Sequence, residues 1–235
     1  ALREELLAIA RRWVSPPFDA DGWRLDVAAD LGKTEEFNHA FWRMFRTAVK
    51  SVSPDKLILA EHYGDAAPWL TGNQWDSIMN YDAFMESQAI SVAMNQLSNH
   101  DHSRFLTRTN RQIGRVETEG SAAADANVEK AVLREAVLLQ MTWNGAPTVY
   151  YGDEAGVTGW TDPDNRRTYP WGREDTGLRE CIRQMAALRN GNSALSAGEL
   201  EPLVCAAGMA AWRRRDETGE FIICVNPGEG PLPLP

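Results

Sequence analysis

The hydrophobic positions change period several times along the chain. Leu2, Leu6, Ile9 and Trp13 recur at helical spacing, which predicts an amphipathic helix over the first dozen residues. "SPPFDADG" breaks it. In "DGWRLDVAAD", residues 21–30, Trp23, Leu25 and Val27 alternate with Arg24, Asp26 and Ala28, the period-two pattern of a strand. Phe37, Phe41, Phe45 and Ala48 mark a second helix that stops before Ser53–Pro54. "KLILAE" and "DSIMNY" read as short apolar strands, and a brief helical segment is expected around Ser87–Asn95, before "QLSNHD". A polar loop is expected over about residues 106–124. "DANVEKAVLREAVLLQMTW" predicts a strong helix with Asp125 or Asn127 as its cap. "GAPTVYYGDE" then reads as a strand, and a further helix is expected from about Thr176 to Arg189.

Strands alternating with helices predict an α/β fold with a parallel sheet. After about Ser196 the pattern changes to short antiparallel strands with turns at Ala207–Gly208 and Thr218–Gly219. The expected division is therefore residues 1–196 as the alternating domain and 197–235 as the start of an all-β domain.

Charge and cysteines narrow the function. A formal net charge of -9 disfavours nucleic acid or an anionic membrane as partner and suits a neutral substrate. No apolar run approaches membrane-spanning length. No signal peptide is visible, and a cytoplasmic location is the expectation. Cys181, Cys205 and Cys224 are odd in number and lack CxxC spacing, so reduced thiols in packing positions are expected rather than a disulfide framework or zinc.

Three of the expected strands finish in carboxylates: Asp26, Glu61 and Asp101. In a parallel α/β barrel the active site forms at the C-terminal strand ends, from side chains of several strands. Acids gathered there suit glycoside hydrolysis, in which one carboxylate attacks or activates water and another protonates the leaving oxygen. Arg24 precedes Asp26 by two residues, on the same strand face, where a guanidinium favours an ionised nucleophile. A single Arg–Asp pair on a strand is more often a fold-stabilising ion pair, and a lone "NHD" is usually a turn. Three acids on separate strands shift the balance towards catalysis.

These segments resemble the α-amylase superfamily of glycoside hydrolases, most closely its neopullulanase and cyclomaltodextrinase-like branch. "GWRLDVA" is similar to the family's nucleophile segment, "LILAEHYGDAAPWL" to its acid/base segment and "LSNHD" to its third segment. "GAPTVYYGDEAG" is similar to its last barrel strand, and "DPDNRRTYPW" to the loop that follows. The resemblance implies a partial TIM (β/α)8 barrel, about strands 4 to 8, followed by a truncated all-β C-terminal domain. It implies Asp26 as nucleophile, Glu61 as general acid and then base, and Asp101 as a grip on sugar hydroxyls. Arg24 would hold Asp26 charged, and His100 would bind the sugar beside Asp101. Asp162 and Arg166 would bind a sugar further along, or form a plain loop ion pair. Trp69, Tyr81, Trp160 and Trp171 are candidates for sugar stacking, although core packing or loop anchoring is the better expectation for each.

The chain departs from the family in two ways. It supplies only about five of the eight barrel strands. Between "NYDAF" and "QLSNHD" only about a dozen residues remain, near the minimum for a crossover between parallel strands. An oligosaccharide or α-glucan substrate is expected of the parent protein, and the activity of this chain alone is a separate question. No cofactor or metal is expected for the chain itself. Calcium would belong to a longer parent, with Asp30 at most lending a backbone oxygen. An open barrel edge is expected to invite self-association. The competing readings are a non-catalytic amylase-like module and a transglycosylase or isomerase using the same acids.

Overall fold

The computed structural model describes residues 2–80, 92–206, 208–226, 228 and 230. They form two units, Ala1–Asn95 and Gln96–Pro235.

In the first unit, acidic Glu4 and Glu5 open α1 (Leu2–Trp13) and Arg11 and Arg12 close it, each complementing the helix dipole. The stripe that marks this helix in the sequence is not the one that packs. Leu2, Leu6, Ile9 and Trp13 are exposed, and the buried face is Ala10, with Leu7 and the following Val14 beside it. The chain continues into β1 (Gly22–Leu25), shorter than the alternating run, because Val27 takes up left-handed backbone (φ 40, ψ 48) and turns away. Thr34 caps α2 (Glu35–Lys50) by accepting from the Phe37 amide. Phe41, Trp42, Phe45 and Val49 point inward from α2, whereas Phe37 stays exposed. They pack on Ile58 and Ala60 of β2 (Leu57–Ala60), on Ile78 of β3 (Ser77–Asn80) and on Trp75. Each large apolar side chain buried this way contributes about 1.5–3 kcal/mol.

β1 pairs with β2, β2 with β3 and β3 with β4 (Met94–Gln96), all parallel. Of the helical segment expected at Ser87–Asn95, residues 87–91 lie outside the described residues, and Met94 and Asn95 are strand.

The second unit carries the remaining elements. The expected loop at 106–124 holds short helices, α3 (Phe105–Arg108) and α4 (Val116–Glu119), and a 3-10 turn, Ser121–Asp125. α5 (Lys130–Thr142) starts later than expected, and neither Asp125 nor Asn127 caps it. Asp125 is instead engaged by the Arg167 guanidinium. β5 (Ala146–Thr148) is shorter than "GAPTVYYGDE", whose second half turns at Tyr150–Asp153. α6 (Thr176–Asn190), capped by Asp175, packs Leu178 and Ile182 on Leu133, Val137 and Met141 of α5. After α7 (Ser193–Ser196), an antiparallel sheet forms from β6 (Glu199–Ala206), β7 (Met209–Arg215) and β8 (Glu220–Val225). Its inner side chains Trp212, Ile223 and Val225 join Leu195 and the partly buried Leu138, Leu139 and Trp143. Asp216 closes the turn at Thr218–Gly219 by accepting from both amides, and Ala207 lies outside the described residues. The three cysteines are free. Cys205 is exposed, so the packing expectation fails there, because alternate side chains of an outer strand face solvent.

Candidate active site

The register of β1 on β2 sets Leu25 opposite Ala60. Asp26 and Glu61 are therefore the first residues beyond two neighbouring parallel strands. The Glu61 amide donates to the Leu25 carbonyl (2.8 Å), and the Ala28 amide to the Glu61 carbonyl (3.1 Å), so the two strand exits are tied together. Arg24 spans both acids. One terminal nitrogen of its guanidinium binds Asp26, and the other lies 3.1 Å from Glu61 Oε2. The same Oε2 accepts from the Val27 amide at 3.1 Å, and Oε1 from the Tyr63 hydroxyl at 3.3 Å. The two carboxylates share a guanidinium but not an environment. The Asp26 side chain is 76% exposed and that of Glu61 is 6% exposed.

The left-handed backbone at Val27 is strained for a β-branched residue. It aims the Val27 amide at Glu61 and starts the loop through Leu31. Asn38, buried on α2, holds that loop. Its amide donates to the carbonyls of Ala28, Ala29 and Leu31 (3.0 Å each), and its oxygen accepts from Trp69 Nε1 (2.8 Å). Trp42 Nε1 donates to Ala28 as well (2.9 Å). Trp69 stacks on Trp75 with ring centroids 5.0 Å apart. It is a core residue rather than a sugar platform. Tyr81 lies outside the described residues.

In the second unit, "SNHDHSR" folds around Asn99. Asn99 Oδ1 accepts from the amides of Asp101 and His102 (3.0 Å each), which makes the turn. His100 Nε2 lies 3.3 Å from Asp101 Oδ1, so the predicted neighbours do meet. Asp162 pairs with Arg166. Hydrogen bonding to Asp162, then its charge and those of Tyr150 and Asp101, raise the Arg166 pKa beyond its ordinary value. His100, Asp101, Asp162 and Arg166 therefore belong to one electrostatic neighbourhood. Behind this group lies Arg104, fully buried. It donates to the carbonyls of Asn165 (2.8 Å) and Tyr151 (2.6 Å) and to Asp153 (3.2 Å), and its guanidinium lies 4.0 Å from the Tyr150 ring centroid. Ser98 donates to the same Asp153 oxygen (2.9 Å). Burial pushes the Asp153 carboxyl up to about 6. Asn165 donates to the His102 carbonyl (2.9 Å). Arg167 gathers Asp125, Asp164, Ser121 and Thr158 beneath the Asp162–Arg166 loop. Trp160 is buried there as an anchor, with Nε1 donating to Gly120 (3.1 Å). Trp171 is the exception among the three tryptophans that are candidates for stacking. It stays exposed, against Tyr169 (4.5 Å), so the core-packing expectation fails there.

Sequence reasoning missed Asn38, Arg104, Asp153 and Asn165. Two carried a signal: Arg104 is an isolated charge ahead of "FL", and Asp153 lies inside an apolar-led run.

Comparison with known proteins agrees with these segments. The family profile "Alpha amylase, catalytic domain" matches residues 1–96 and 83–197. It matches in two pieces that meet where the sequence is short, between "NYDAF" and "QLSNHD". The chain is 35% identical over 254 residues to an amylopullulanase of Thermoanaerobacter thermohydrosulfuricus, covering 91% of the chain and 17% of that protein. It is 37% identical over 229 residues to neopullulanase 2 of Thermoactinomyces vulgaris, covering 85% of the chain and 35% of the relative. Among solved structures, the ligand-free cyclic alpha-maltosyl-(1→6)-maltose hydrolase of Arthrobacter globiformis superposes with a TM-score of 0.77 at 32% identity, over 98% of this chain and 53% of that one. The chain thus spans less than half the length of these two curated relatives.

Proposed function

The chain belongs to the α-amylase catalytic-domain family, and from that premise we propose that it carries the catalytic acids of a retaining α-glucan hydrolase. In this reading residues 1–196 are the C-terminal half of the (β/α)8 barrel, and residues 197–235 begin the β domain. The substrates are maltooligosaccharides or related α-glucans, the class that neopullulanase, cyclomaltodextrinase and amylopullulanase relatives are named for.

Asp26 attacks the anomeric carbon while Glu61 gives its proton to the departing glycosidic oxygen, which yields a covalent glycosyl ester on Asp26. Glu61 then takes a proton from water, and that water releases the sugar with its configuration retained. Arg24 offsets the negative charge that Asp26 regains when the ester is cleaved. His100 and Asp101 are assigned to sugar hydroxyls, and Asp162 with Arg166 to a sugar further along the chain of glucoses. The reaction uses protein carboxylates alone and needs no metal.

The observation that carries this reading is the single guanidinium spanning Asp26 and Glu61 at adjacent parallel strand exits. The open access to Asp26 suits a nucleophile that a substrate must reach, and Glu61 stands beside it at the neighbouring strand exit. The test is release of nitrophenol from a nitrophenyl maltooligosaccharide by the chain and by a longer protein containing it. Asp26→Asn should abolish release, by roughly a thousand-fold or more. Glu61→Gln should cost less on this substrate, because nitrophenol leaves with little protonic help. Activity that survives Asp26→Asn would sink the mechanism.

A further inference from the structure

The two oxygens of Glu61 stand in different company. Oε2 faces groups that can only donate, the Val27 amide and a terminal nitrogen of Arg24, each at 3.1 Å. Oε1 accepts from the Tyr63 hydroxyl at 3.3 Å. A hydroxyl differs from an amide or a guanidinium, because it turns about its C–O bond and can accept as well as donate. A proton placed on Oε2 would point at the hydrogens of both its neighbours. One placed on Oε1 meets an oxygen able to receive it.

The local chain holds Tyr63 at this place. It lies two residues beyond Glu61 on the same strand exit. Between them, His62 is anchored, with its ring against Trp69 and Trp75 (centroids 5.0 and 6.0 Å apart) and its Nε2 3.1 Å from the Asp65 carbonyl. After Tyr63 the chain turns at Gly64, whose left-handed backbone (φ 99) strains any residue with a side chain. Tyr63 is thus fixed from both sides in the chain, and at 54% exposed it leaves its hydroxyl room to turn.

We propose that the Tyr63 hydroxyl directs the catalytic proton to Oε1 of Glu61 and turns as that proton comes and goes. This positioning role rests on the reading of Glu61 as the general acid. With Glu61 protonated, Oε1–H donates to the Tyr63 oxygen until a glycosidic oxygen takes its place. As Asp26 bonds to the anomeric carbon, the bond from that carbon to the departing sugar breaks, and the Oε1 proton passes to the freed oxygen. The hydroxyl then turns and donates to the Oε1 left charged. Water attacks the glycosyl ester, its proton goes to Oε1, and the hydroxyl turns back. Tyr63 keeps its own proton throughout.

Tyr63→Phe keeps the ring and removes the hydroxyl. Made in the chain and in the longer protein containing it, the variant is compared with wild type on an unsubstituted maltooligosaccharide and on its nitrophenyl glycoside. A sugar alcohol needs a proton to leave, whereas nitrophenol needs little help, and kcat/KM reports the bond-breaking step for each. On the maltooligosaccharide, kcat and kcat/KM should both fall by roughly ten-fold with KM unmoved. On the nitrophenyl glycoside, kcat/KM should fall by a clearly smaller factor. Equal falls on the two substrates overturn the proposal, since the hydroxyl then serves the fold or the nucleophile, and so does a silent substitution. Asp26→Asn in parallel separates the two claims. Release that survives it, or a wild type that cleaves neither substrate, overturns the reading of the site and this proposal with it. Release lost in Asp26→Asn, with Tyr63→Phe silent, overturns the part given to Tyr63 alone.

Discussion

Replacing Asp153 by Asn should change the pH dependence of stability in a defined direction. The Asp153 carboxyl is buried at the turn after β5, where its Oδ1 accepts from Ser98 and from Arg104. Both partners favour the ionised form, yet burial outweighs them and pushes the group from 3.8 up to about 6. The folded protein therefore holds this proton more tightly than the unfolded chain does. The resulting stability is fully present below the unfolded value of 3.8 and is lost as pH rises through about 6. A shift of about two units, at about 1.4 kcal/mol each, sets the loss at about 3 kcal/mol. Asn keeps the accepting oxygen and cannot ionise. The variant should match the wild type near pH 4 and exceed it above pH 7. Urea unfolding followed by tryptophan fluorescence across that range reads the difference between the two chains, which removes every other titrating group. With a denaturant slope of about 1–3 kcal/mol per molar, the midpoints should separate by roughly 1–3 M. Parallel curves would refute the reasoning. A variant less stable than the wild type above pH 6 would show that the Arg104 ion pair outweighs the burial of the charge.

Substitutions at two further residues probe the loop that follows Asp26 and the packing of the second unit. Asn38→Ala should cost about 2–4 kcal/mol, since it orphans Trp69 Nε1 and the loop carbonyls, and Asn38→Asp should cost more by facing a carboxylate towards three carbonyls. Thermal unfolding of both variants checks the order, and an Asp variant as stable as Ala would contradict it. Arg189→Met should lower stability by about 2–5 kcal/mol, because the buried guanidinium serves the carbonyls of Met141 in the last turn of α5 and of Trp143 and Gly145 beyond it. Arg189→Lys should recover little of it, since one ammonium cannot reproduce the fork; full recovery in a urea titration would contradict that assignment.

The pattern of apolar positions was enough to read the parallel strands and most helices, because α2 and α6 each bury one regular face and β2 is a short apolar run buried on both faces. It failed where the neighbour rather than the segment decides. α1 has two apolar rows, and only membership of the cluster that α2 and the strands form distinguishes Leu7, Ala10 and Val14 from the exposed row. The start of α5 was misplaced because Asp125, a good cap by type, is held by Arg167, forty-two residues away.

The candidate site divides in the same way. Arg24 and Asp26 are two residues apart, and a strand sets both on one face, so their meeting is local and legible. Glu61 joins them only through the register of β1 on β2, which the sequence does not state. Arg104 and Asp153 are further removed still. Each alone reads as a surface charge, and only together, with Ser98 and the Tyr150 ring, do they form a buried group that fixes the turn bearing Asp101. Charged residues that do chemistry must reach the substrate, so they stand at strand ends where pattern reveals them. Those that hold the chemistry in place are paired across the fold, and the pairing exists only once the chain has folded.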